Sequence, residues 1–200
     1  MSAPTHPDSH ARLETLIGAL KGRGILTEEE LIARQEQTDR ASPAIGARMV
    51  ARAWLDPVWR GLLLSDGSAA AEAMGVSMAG APPLGVLEDT PERHHLVVCT
   101  LCSCYPRAVL GYPPHWYKSF AYRARTVRDP RGVLAEWGTV LPEGVEVRVV
   151  DSTADYRWMV LPLRPEGTDG WSEDRLTAIV TRDALVGVAL PQVTSRTVAA

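Results

Sequence analysis

The sequence predicts an α+β protein in which a helical N-terminal arm precedes a mixed α/β body that carries a cysteine metal-binding loop. Three observations support this fold class. Apolar side chains recur at helical spacing from residue 8 to about residue 75. Several segments beyond residue 90 instead alternate or are rich in β-branched residues, as strands are. All three cysteines of the 200-residue chain lie in one stretch, VVCTLCSCYP at 97–106.

The arm, residues 1–75, is predicted as a series of helices. The first helix has an apolar stripe that consists of Leu13, Leu16, Ile17 and Leu20. The sequence KGRG at 21–24 is predicted to end this helix. Thr27 and Glu30 have the spacing of a capping box at the start of the second helix. Two later helices are each predicted to start at a capping residue followed by proline, at Ser42-Pro43 and Asp56-Pro57. Because the apolar faces are small, we expect the arm to pack on a partner subunit; packing on its own sheet is the alternative.

The body, residues 76–200, is predicted as the metal-binding catalytic domain. Residues 74–89 are rich in glycine, proline and alanine and are interpreted as a connector or a long surface loop. Strands are expected in HLVV, VEVRVVD and YRWMVLPL. Helices are expected around HWYKSFAYRARTV, DPRGVLAEWG and SEDRLTAIVTRDALVGV.

Composition and charge make two classes of partner unexpected. The net charge of −3, the pI near 6.0 and the lack of a dense Lys/Arg cluster give no footprint for a nucleic-acid backbone. The most apolar stretch, SMAGAPPLGVL, is too short and too proline-broken to cross a membrane, and no basic segment followed by an apolar one opens the sequence. We therefore expect a cytoplasmic protein that binds neither nucleic acid nor membrane.

The cysteine spacing C-x-x-C-x-C predicts a metal centre. An odd number of cysteines leaves one unpaired in any disulfide arrangement, whereas Cys99, Cys102 and Cys104 can direct three sulfurs toward one point. Structural zinc and four-cysteine iron–sulfur clusters both need a fourth ligand that the sequence lacks. His94 and His95 point to opposite faces of the predicted strand, so at most one of them can contribute. Burial as small apolar side chains is the simplest alternative, but it does not explain the clustering.

Backbone nitrogen atoms can complete the coordination. Deprotonated amides of Ser103 and Cys104 would form five-membered chelate rings with the neighbouring thiolates. Such strong donors favour low-spin trivalent cobalt or iron over zinc and leave one position open for water or substrate. An open position on a metal ion is typical of a catalytic centre.

The loop VCTLCSCYP resembles the alpha subunit of nitrile hydratases and the closely related gamma subunit of thiocyanate hydrolase. The resemblance extends over residues 44–191 and includes LGYPPHWYKSFAYRARTVRDPRGVLAEWG, DSTADYRWMVLPLRPEGT and IVTRDALVGVALP. It implies sulfur ligands from Cys99, Cys102 and Cys104 and amide ligands from Ser103 and Cys104. It also implies oxidation of Cys102 to sulfinate and of Cys104 to sulfenate. Thr100 is the variant associated with non-corrin cobalt, which makes Co(III) the expected cofactor and iron the alternative.

The same resemblance implies the reaction and the roles of nearby residues. A nitrile would be hydrated to its amide, with the sulfenate oxygen of Cys104 or a metal-activated hydroxide as nucleophile. Ser103 would lie near the oxidised sulfurs, Tyr105 would face the pocket, and Arg157 would lie behind the site beside Asp151. Arginines of a beta-type partner subunit would hold the oxidised cysteines. A metal-loading activator protein is a further candidate partner.

Two departures from the nitrile hydratase pattern bear on the substrate. Arg107 follows the Tyr-Pro pair where most nitrile hydratases have tryptophan, as in thiocyanate hydrolase. A glutamine that many alpha subunits carry upstream of the loop is missing, its place falling in MAGAPPLG. We expect a nitrile substrate, with a nucleoside nitrile such as toyocamycin as one candidate. Thiocyanate, hydrolysed to carbonyl sulfide and ammonia, is the alternative, and a non-catalytic metal-binding regulatory subunit is the alternative of another class.

Overall fold

The computed structural model describes residues 7–193, and the chain divides into two compact units between Arg40 and Ala41. The first unit contains helices α1, Pro7–Gly22, and α2, Glu28–Arg40. The predicted capping box is present at the start of α2. The Thr27 N–H donates to Glu30 Oε2 at 2.8 Å, and the Glu30 N–H donates to Thr27 Oγ1 at 3.1 Å. The backbone N–H of Thr27, followed by the Thr27 hydroxyl, donates to the Glu30 carboxylate and holds the pKa of Glu30 below its ordinary value.

The second unit begins with three helices, α3, Pro43–Leu55, α4, Pro57–Ser65, and α5, Gly67–Ala73. Asp56 caps α4 as predicted, because its side chain accepts hydrogen bonds from the backbone N–H groups of Val58 and Trp59. Ser42 stands at the N-cap of α3, but its side chain makes no capping hydrogen bond. Both predicted helix starts are confirmed, and only one of them uses the side-chain cap.

Helices α3 to α5 share one apolar core with the strands. Met49, Val50, Trp59 and Leu63 are buried in it, and the indole N–H of Trp59 donates to the carbonyl of Met49 at 3.1 Å. The division between compact units therefore comes well before residue 75, where the sequence analysis ends the arm. Packing of the arm on a partner subunit stays a prediction.

Within residues 7–193, four strands form two parallel pairs. These are β1, Leu84–Glu88, β2, Arg93–Val98, β3, Glu146–Asp151, and β4, Arg157–Leu161. Strand β1 pairs with β4 in the register Leu84 to Arg157, and β2 pairs with β3 so that Val98 lies opposite Asp151. The three predicted strands are confirmed as β2, β3 and β4.

Strand β1 corrects the interpretation of residues 74–89 as a connector without regular structure. The strand is only five residues long, and its second residue, Gly85, is of a type that is rare in strands. The glycine is required by packing, because a Cβ atom there would lie 2.4 Å from ring atoms of Trp158 and Tyr156. The requirement comes from β4, and the local sequence does not reveal it.

Six further short helices lie in the described part of the second unit: α6, Arg107–Leu110; α7, His115–Lys118; α8, Phe120–Arg128; α9, Pro130–Glu136; α10, Glu173–Thr177; and α11, Arg182–Val186. Helix α6 was not predicted. Two of the three predicted helical segments are each divided in two, since Ser119 caps α8 and Thr181 caps α11 with side-chain hydrogen bonds. No helix within residues 7–193 has both the length and the apolar character that a membrane crossing requires.

The cysteine loop leaves the carboxyl end of β2 and leads into α6. Val97 and Val98, which precede the loop, are fully enclosed by the core. Because β2 and β3 are parallel, the loop emerges at the same edge as the last residue of β3, Asp151. This edge of the sheet positions the candidate site.

Candidate metal centre

The structure brings the three predicted sulfur ligands together. Cys102 Sγ lies 3.6 Å from Cys99 Sγ and 3.3 Å from Cys104 Sγ, and all three sulfurs lie within 4.8 Å of one another. Cys99 and Cys104 are buried, whereas Cys102 is exposed. The cluster therefore has a protected side and a side open to solvent.

Hydrogen bonds and burial shift the pKa values of Cys102 and Cys104 in opposite directions. The pKa of Cys102 is lowered to about 7, first by its hydrogen bond with Cys104, then by the backbone N–H of Ser103, by Cys99 and by the backbone N–H of Cys104. Burial, followed by the neighbouring sulfurs, raises the pKa of Cys104 to about 12, and the positive charge of Arg157 partly opposes this. The backbone N–H groups of Ser103 and Cys104 thus help to stabilise the Cys102 thiolate, whereas their predicted role as metal ligands stays a prediction.

Asp151 anchors the loop from the end of β3. Its carboxylate accepts the backbone N–H of Thr100 at 3.1 Å and also the hydroxyl of Thr100. Both bonds restrain the residue that directly follows Cys99. The sequence analysis placed Asp151 behind the site, and the structure places it against the loop backbone.

Three residues of the α7–α8 region hold backbone carbonyls in and around the loop, and the sequence analysis did not name them. Arg123 Nη1 donates to the carbonyl of Leu101 at 3.0 Å and of Thr100 at 3.5 Å. The Tyr117 hydroxyl donates to the carbonyl of Cys104 at 2.8 Å, and the Tyr122 hydroxyl donates to the carbonyl of Val97 at 2.7 Å. Burial raises the pKa of both tyrosines, so both remain hydrogen-bond donors at neutral pH.

The remaining predicted site residues occupy different environments. Tyr105 is only 3% exposed, its ring packs edge-on against Tyr117 with centroids 5.0 Å apart, and its hydroxyl has no hydrogen-bond partner among residues 7–193. Arg157 begins β4 close enough to act electrostatically on Cys104, and its Nη1 is buried without a hydrogen-bond partner in the same part of the chain. Arg107 begins α6 at the surface, 5.5 Å from the ring centre of Tyr112.

His94 and His95 are both directed at a buried carboxylate, that of Asp89. Asp89 Oδ1 accepts the His95 backbone N–H at 2.7 Å and lies 3.1 Å from His95 Nδ1, while Oδ2 lies 3.1 Å from His94 Nδ1. His94 Nε2 is 2.7 Å from the carbonyl of Gly187. Burial alone would lower the pKa of His94, but its interaction with Asp89 raises it overall. These contacts engage both ring nitrogens of His94 and one of His95 away from the sulfurs.

The donor set fits a metal ion that prefers thiolates. Three converging sulfurs, one with a pKa near 7, form a soft ligand set. The N–H groups of Ser103 and Cys104 both contribute to the lowered pKa of Cys102, and backbone nitrogens of this kind can become additional donors after deprotonation. The fold and the site together define a protein with a cysteine metal-binding loop at the edge of a parallel strand pair.

Comparison with known proteins assigns the family. The family described as nitrile hydratase, alpha chain, matches residues 7–189. The chain therefore belongs to the nitrile hydratase alpha-chain family.

Individual relatives fall in two groups of enzymes. The chain is 48% identical over 181 residues to the thiocyanate hydrolase subunit gamma of Thiobacillus thioparus, covering 85% of this chain and 74% of the relative. It is 46% identical over 187 residues to the low-molecular weight cobalt-containing nitrile hydratase subunit alpha of Rhodococcus rhodochrous, covering 93% and 90%. Among solved structures, an Fe-type nitrile hydratase from Comamonas testosteroni Ni1, studied as a double mutant, matches with a TM-score of 0.83 and 43% identity over 94% of this chain and 92% of that one. These matches support a metal-binding catalytic subunit, and because the curated relatives are subunits they imply a partner subunit.

Proposed function

We propose that this chain is the metal-binding catalytic subunit of a nitrile hydratase, which hydrates a nitrile to the amide at a non-corrin Co(III) centre. The convergence of three sulfurs within 4.8 Å, one of them exposed, carries the proposal. The similarity to a cobalt-containing nitrile hydratase over 93% of the chain supports both the reaction and the metal, and makes iron the less favoured alternative.

Cys99, Cys102 and Cys104 would hold the metal through sulfur, and Ser103 and Cys104 through their backbone nitrogens. The contacts of both N–H groups with Cys102 support this ligand set. When bound, trivalent cobalt would supply Lewis acidity toward the nitrile and toward water.

The protein residues around the sulfurs have distinct proposed roles. Cys102 would be present as sulfinate and Cys104 as sulfenate, and the nucleophile toward the nitrile carbon would be either the Cys104 sulfenate oxygen or a metal-activated hydroxide. Arg157 would stabilise negative charge on Cys104, which its electrostatic effect on the Cys104 thiol supports. Burial raises the pKa of Tyr105, so its unpartnered hydroxyl would serve as a neutral hydrogen-bond donor. Ser103 would orient the loop between the two oxidised cysteines.

A beta-type partner subunit would cover the open side of the sulfur cluster. Leu101, in the cysteine loop, is 88% exposed and Phe120, at the start of α8, is 79% exposed, so both give a partner apolar surface to cover. The partner would supply arginines to the oxidised cysteines. The metal-loading activator, the cytoplasmic location and the packing of the N-terminal arm on the partner belong to the same proposal.

The substrate would be a small nitrile, with a nucleoside nitrile such as toyocamycin as the candidate to test first. Thiocyanate is a second candidate, favoured by one observation. Arg107, an exposed cation at the start of α6 just after the loop, would attract this anion. The 48% identity to a thiocyanate hydrolase subunit agrees with that alternative.

The decisive experiment combines metal analysis, peptide mapping and product analysis of the chain purified with its partner. We expect one cobalt per chain, two added oxygens on Cys102, one on Cys104, and amide formation from nitriles. Cys104→Ala should lose cobalt and hydration together, whereas Val140→Ala, at an exposed position distant in sequence from the loop, should retain both. Carbonyl sulfide and ammonia from thiocyanate, without amide from nitriles, would establish the second candidate. Zinc with unmodified thiols, or hydration retained in Cys104→Ala, would contradict the proposal.

A further inference from the structure

Two oppositely charged side chains hold the backbone of the cysteine loop by hydrogen bonds. The Asp151 carboxylate accepts hydrogen bonds from the backbone N–H and the hydroxyl of Thr100. The Arg123 guanidinium donates to the backbone carbonyls of Thr100 and Leu101. At the other end of the loop, the Tyr117 hydroxyl donates to the carbonyl of Cys104. The segment that carries Cys102 and Ser103 lies between these attachments.

We propose that Arg123 and Tyr117 are positioning residues for the sulfur centre, fixing the Leu101–Cys102 and Cys104–Tyr105 peptide planes that flank the segment Cys102–Cys104 so that the metal-binding atoms converge. This inference rests on the proposed function insofar as the centre binds metal. Neither side chain needs to contact the metal or the substrate for this role.

Peptide planarity explains how Arg123 acts. In a trans peptide the carbonyl and the N–H point in opposite directions, so fixing one fixes the other. The Leu101 carbonyl, held by Arg123 at 3.0 Å, shares its peptide with the N–H of Cys102. That N–H points to Cys99 Sγ at 3.3 Å. Arg123 thus fixes the hydrogen bond that joins the first two sulfur-bearing residues.

Tyr117 acts on the third cysteine. Its hydroxyl holds the peptide between Cys104 and Tyr105, and with it the backbone torsion that directs Cys104. Tyr117 is fully buried and packs against Tyr105, so its hydroxyl cannot readily exchange this bond for one to water. Loss of the hydroxyl would leave the Cys104 carbonyl without this donor in a buried setting, which is costly.

Charge gives Arg123 a second effect on the same loop. Thiolates and deprotonated amides would concentrate negative charge there, and a guanidinium bonded to the loop backbone compensates it. Arg123→Lys keeps the charge but not the planar fork, while Arg123→Gln removes both. The two substitutions therefore separate positioning from charge compensation.

Two matched controls are available elsewhere in the second unit. Arg131 also donates to loop carbonyls, those of Leu141, Pro142 and Glu143, and this loop carries no cysteine. Thr139, like Tyr117, has a buried hydroxyl that donates to a backbone carbonyl, here that of Val188 at 2.9 Å. Arg131→Gln and Thr139→Val thus remove similar bonds without releasing the peptides that flank the segment Cys102–Cys104.

The first measurement is the Cd²⁺ affinity of the reduced full-length chain, followed through the sulfur-to-cadmium charge-transfer absorption. The second is the cobalt content and the sulfur-to-cobalt charge-transfer absorption of the chain purified with its partner. Removing outer-shell support of a metal ligand typically costs about 10- to 100-fold in affinity. We expect losses in this range for Arg123→Gln and Tyr117→Phe, a smaller loss for Arg123→Lys, altered cobalt absorption in all three, and near wild-type values for the two controls.

The outcomes separate this inference from the proposed function. Wild-type chain that binds Cd²⁺ but is purified without cobalt would contradict the proposed function, and the Cd²⁺ series would still decide the roles of Arg123 and Tyr117. Unchanged Cd²⁺ affinity and cobalt absorption in Arg123→Gln and Tyr117→Phe would overturn the inference. So would equal losses in the control variants, because the effect would then be general destabilisation. Thermal unfolding of each metal-free variant identifies any that fails to fold, and Arg123→Lys remains as the milder test.

Discussion

Cys102 differs from the other two cysteines in both exposure and hydrogen bonding. It is exposed and receives hydrogen bonds that lower its pKa to about 7, whereas burial raises the pKa of Cys104 to about 12. Thiolate, not thiol, is the reactive and metal-binding form of cysteine. In the metal-free chain, Cys102 is therefore more accessible and more readily ionised than Cys104, and we expect it to react first with a metal ion or an electrophile.

This difference predicts selective labelling of the reduced, metal-free chain. Iodoacetamide should modify Cys102 well before Cys104, and the rate should rise with pH to a half-maximum near pH 7, because the thiolate forms as pH rises through the pKa of about 7. Peptide mass spectrometry after timed quenching measures both rates. Equal rates, or a half-maximum at the ordinary thiol pKa, would show that the hydrogen bonds do not stabilise the Cys102 thiolate.

The clustering and the donor types of the site could be predicted from the sequence because they are local. Cys99, Cys102, Ser103 and Cys104 are neighbours, and their spacing alone brings three sulfurs to one loop. The residues that hold the loop are not local: Arg123 lies 22 residues from Leu101, and Asp151 lies 51 residues from Thr100. Only the packing of α8 and the pairing of β2 with β3 bring them together.

At the scale of elements, capping residues correctly predicted where helices start, whereas strand β1 was not predicted because it contains a tightly packed glycine. The starts at Thr27 and Asp56 follow from side chains that bond nearby N–H groups. Strand β1 was not predicted because glycine has a low strand propensity, and the reason for Gly85 is instead that the rings of Trp158 and Tyr156 leave no space for a Cβ atom. The sequence thus predicted the elements that neighbouring residues determine, and it missed the strand that depends on packing between distant residues.

The end of α11 depends on a glycine for two separable reasons. Gly187 has φ of 89° in the left-handed region, and a Cβ atom there would lie 2.0 Å from the carbonyl oxygen of His95 in β2. Gly138 has φ of 77°, but a Cβ atom there would meet nothing within 4 Å. The two positions share the backbone strain and differ in crowding.

Substituting both glycines by alanine should separate the two costs. Gly138→Ala should lower the free energy of unfolding by about 1 to 2 kcal/mol, the cost of a left-handed conformation for a residue with a Cβ atom. Gly187→Ala should cost clearly more, about 3 kcal/mol or above, because the contact with β2 forces the backbone apart. Urea unfolding of the two variants measures the difference. Equal losses would mean that α11 moves away from β2 without penalty.

For the molecule as a whole, the buried pair of Asp89 and His94 connects three parts of the second unit. Asp89 follows β1, His94 lies in β2, and the His94 ring also contacts the carbonyl of Gly187 at the end of α11. Burial opposes both shifts, but the interaction with Asp89 raises the pKa of His94, and hydrogen bonds from His94 and from His95 lower the pKa of Asp89. The pair is therefore most stabilising when both groups are charged.

The signs of these shifts predict how stability depends on pH. The contribution of His94 is fully present below its ordinary pKa of 6.5 and is lost as pH rises through the raised value of the folded state. The contribution of Asp89 is present above its ordinary pKa of 3.8 and is lost as pH falls through the lowered value. We expect the pair to stabilise the fold most between these ordinary pKa values and to stabilise it less at alkaline pH.

Urea unfolding midpoints from pH 4 to pH 9 would measure this dependence, with two substitutions to assign it. His94→Gln should lower the midpoint at pH 6 more than at pH 9, because the wild-type chain has already lost part of the interaction at alkaline pH. His115→Gln, at an exposed histidine of α7, should leave the profile unchanged. A wild-type profile that is flat from pH 6 to pH 9, or a His94→Gln effect independent of pH, would mean that His94 is neutral in the folded chain. The link between β1, β2 and α11 would then depend on hydrogen bonding alone rather than on the charge of the pair.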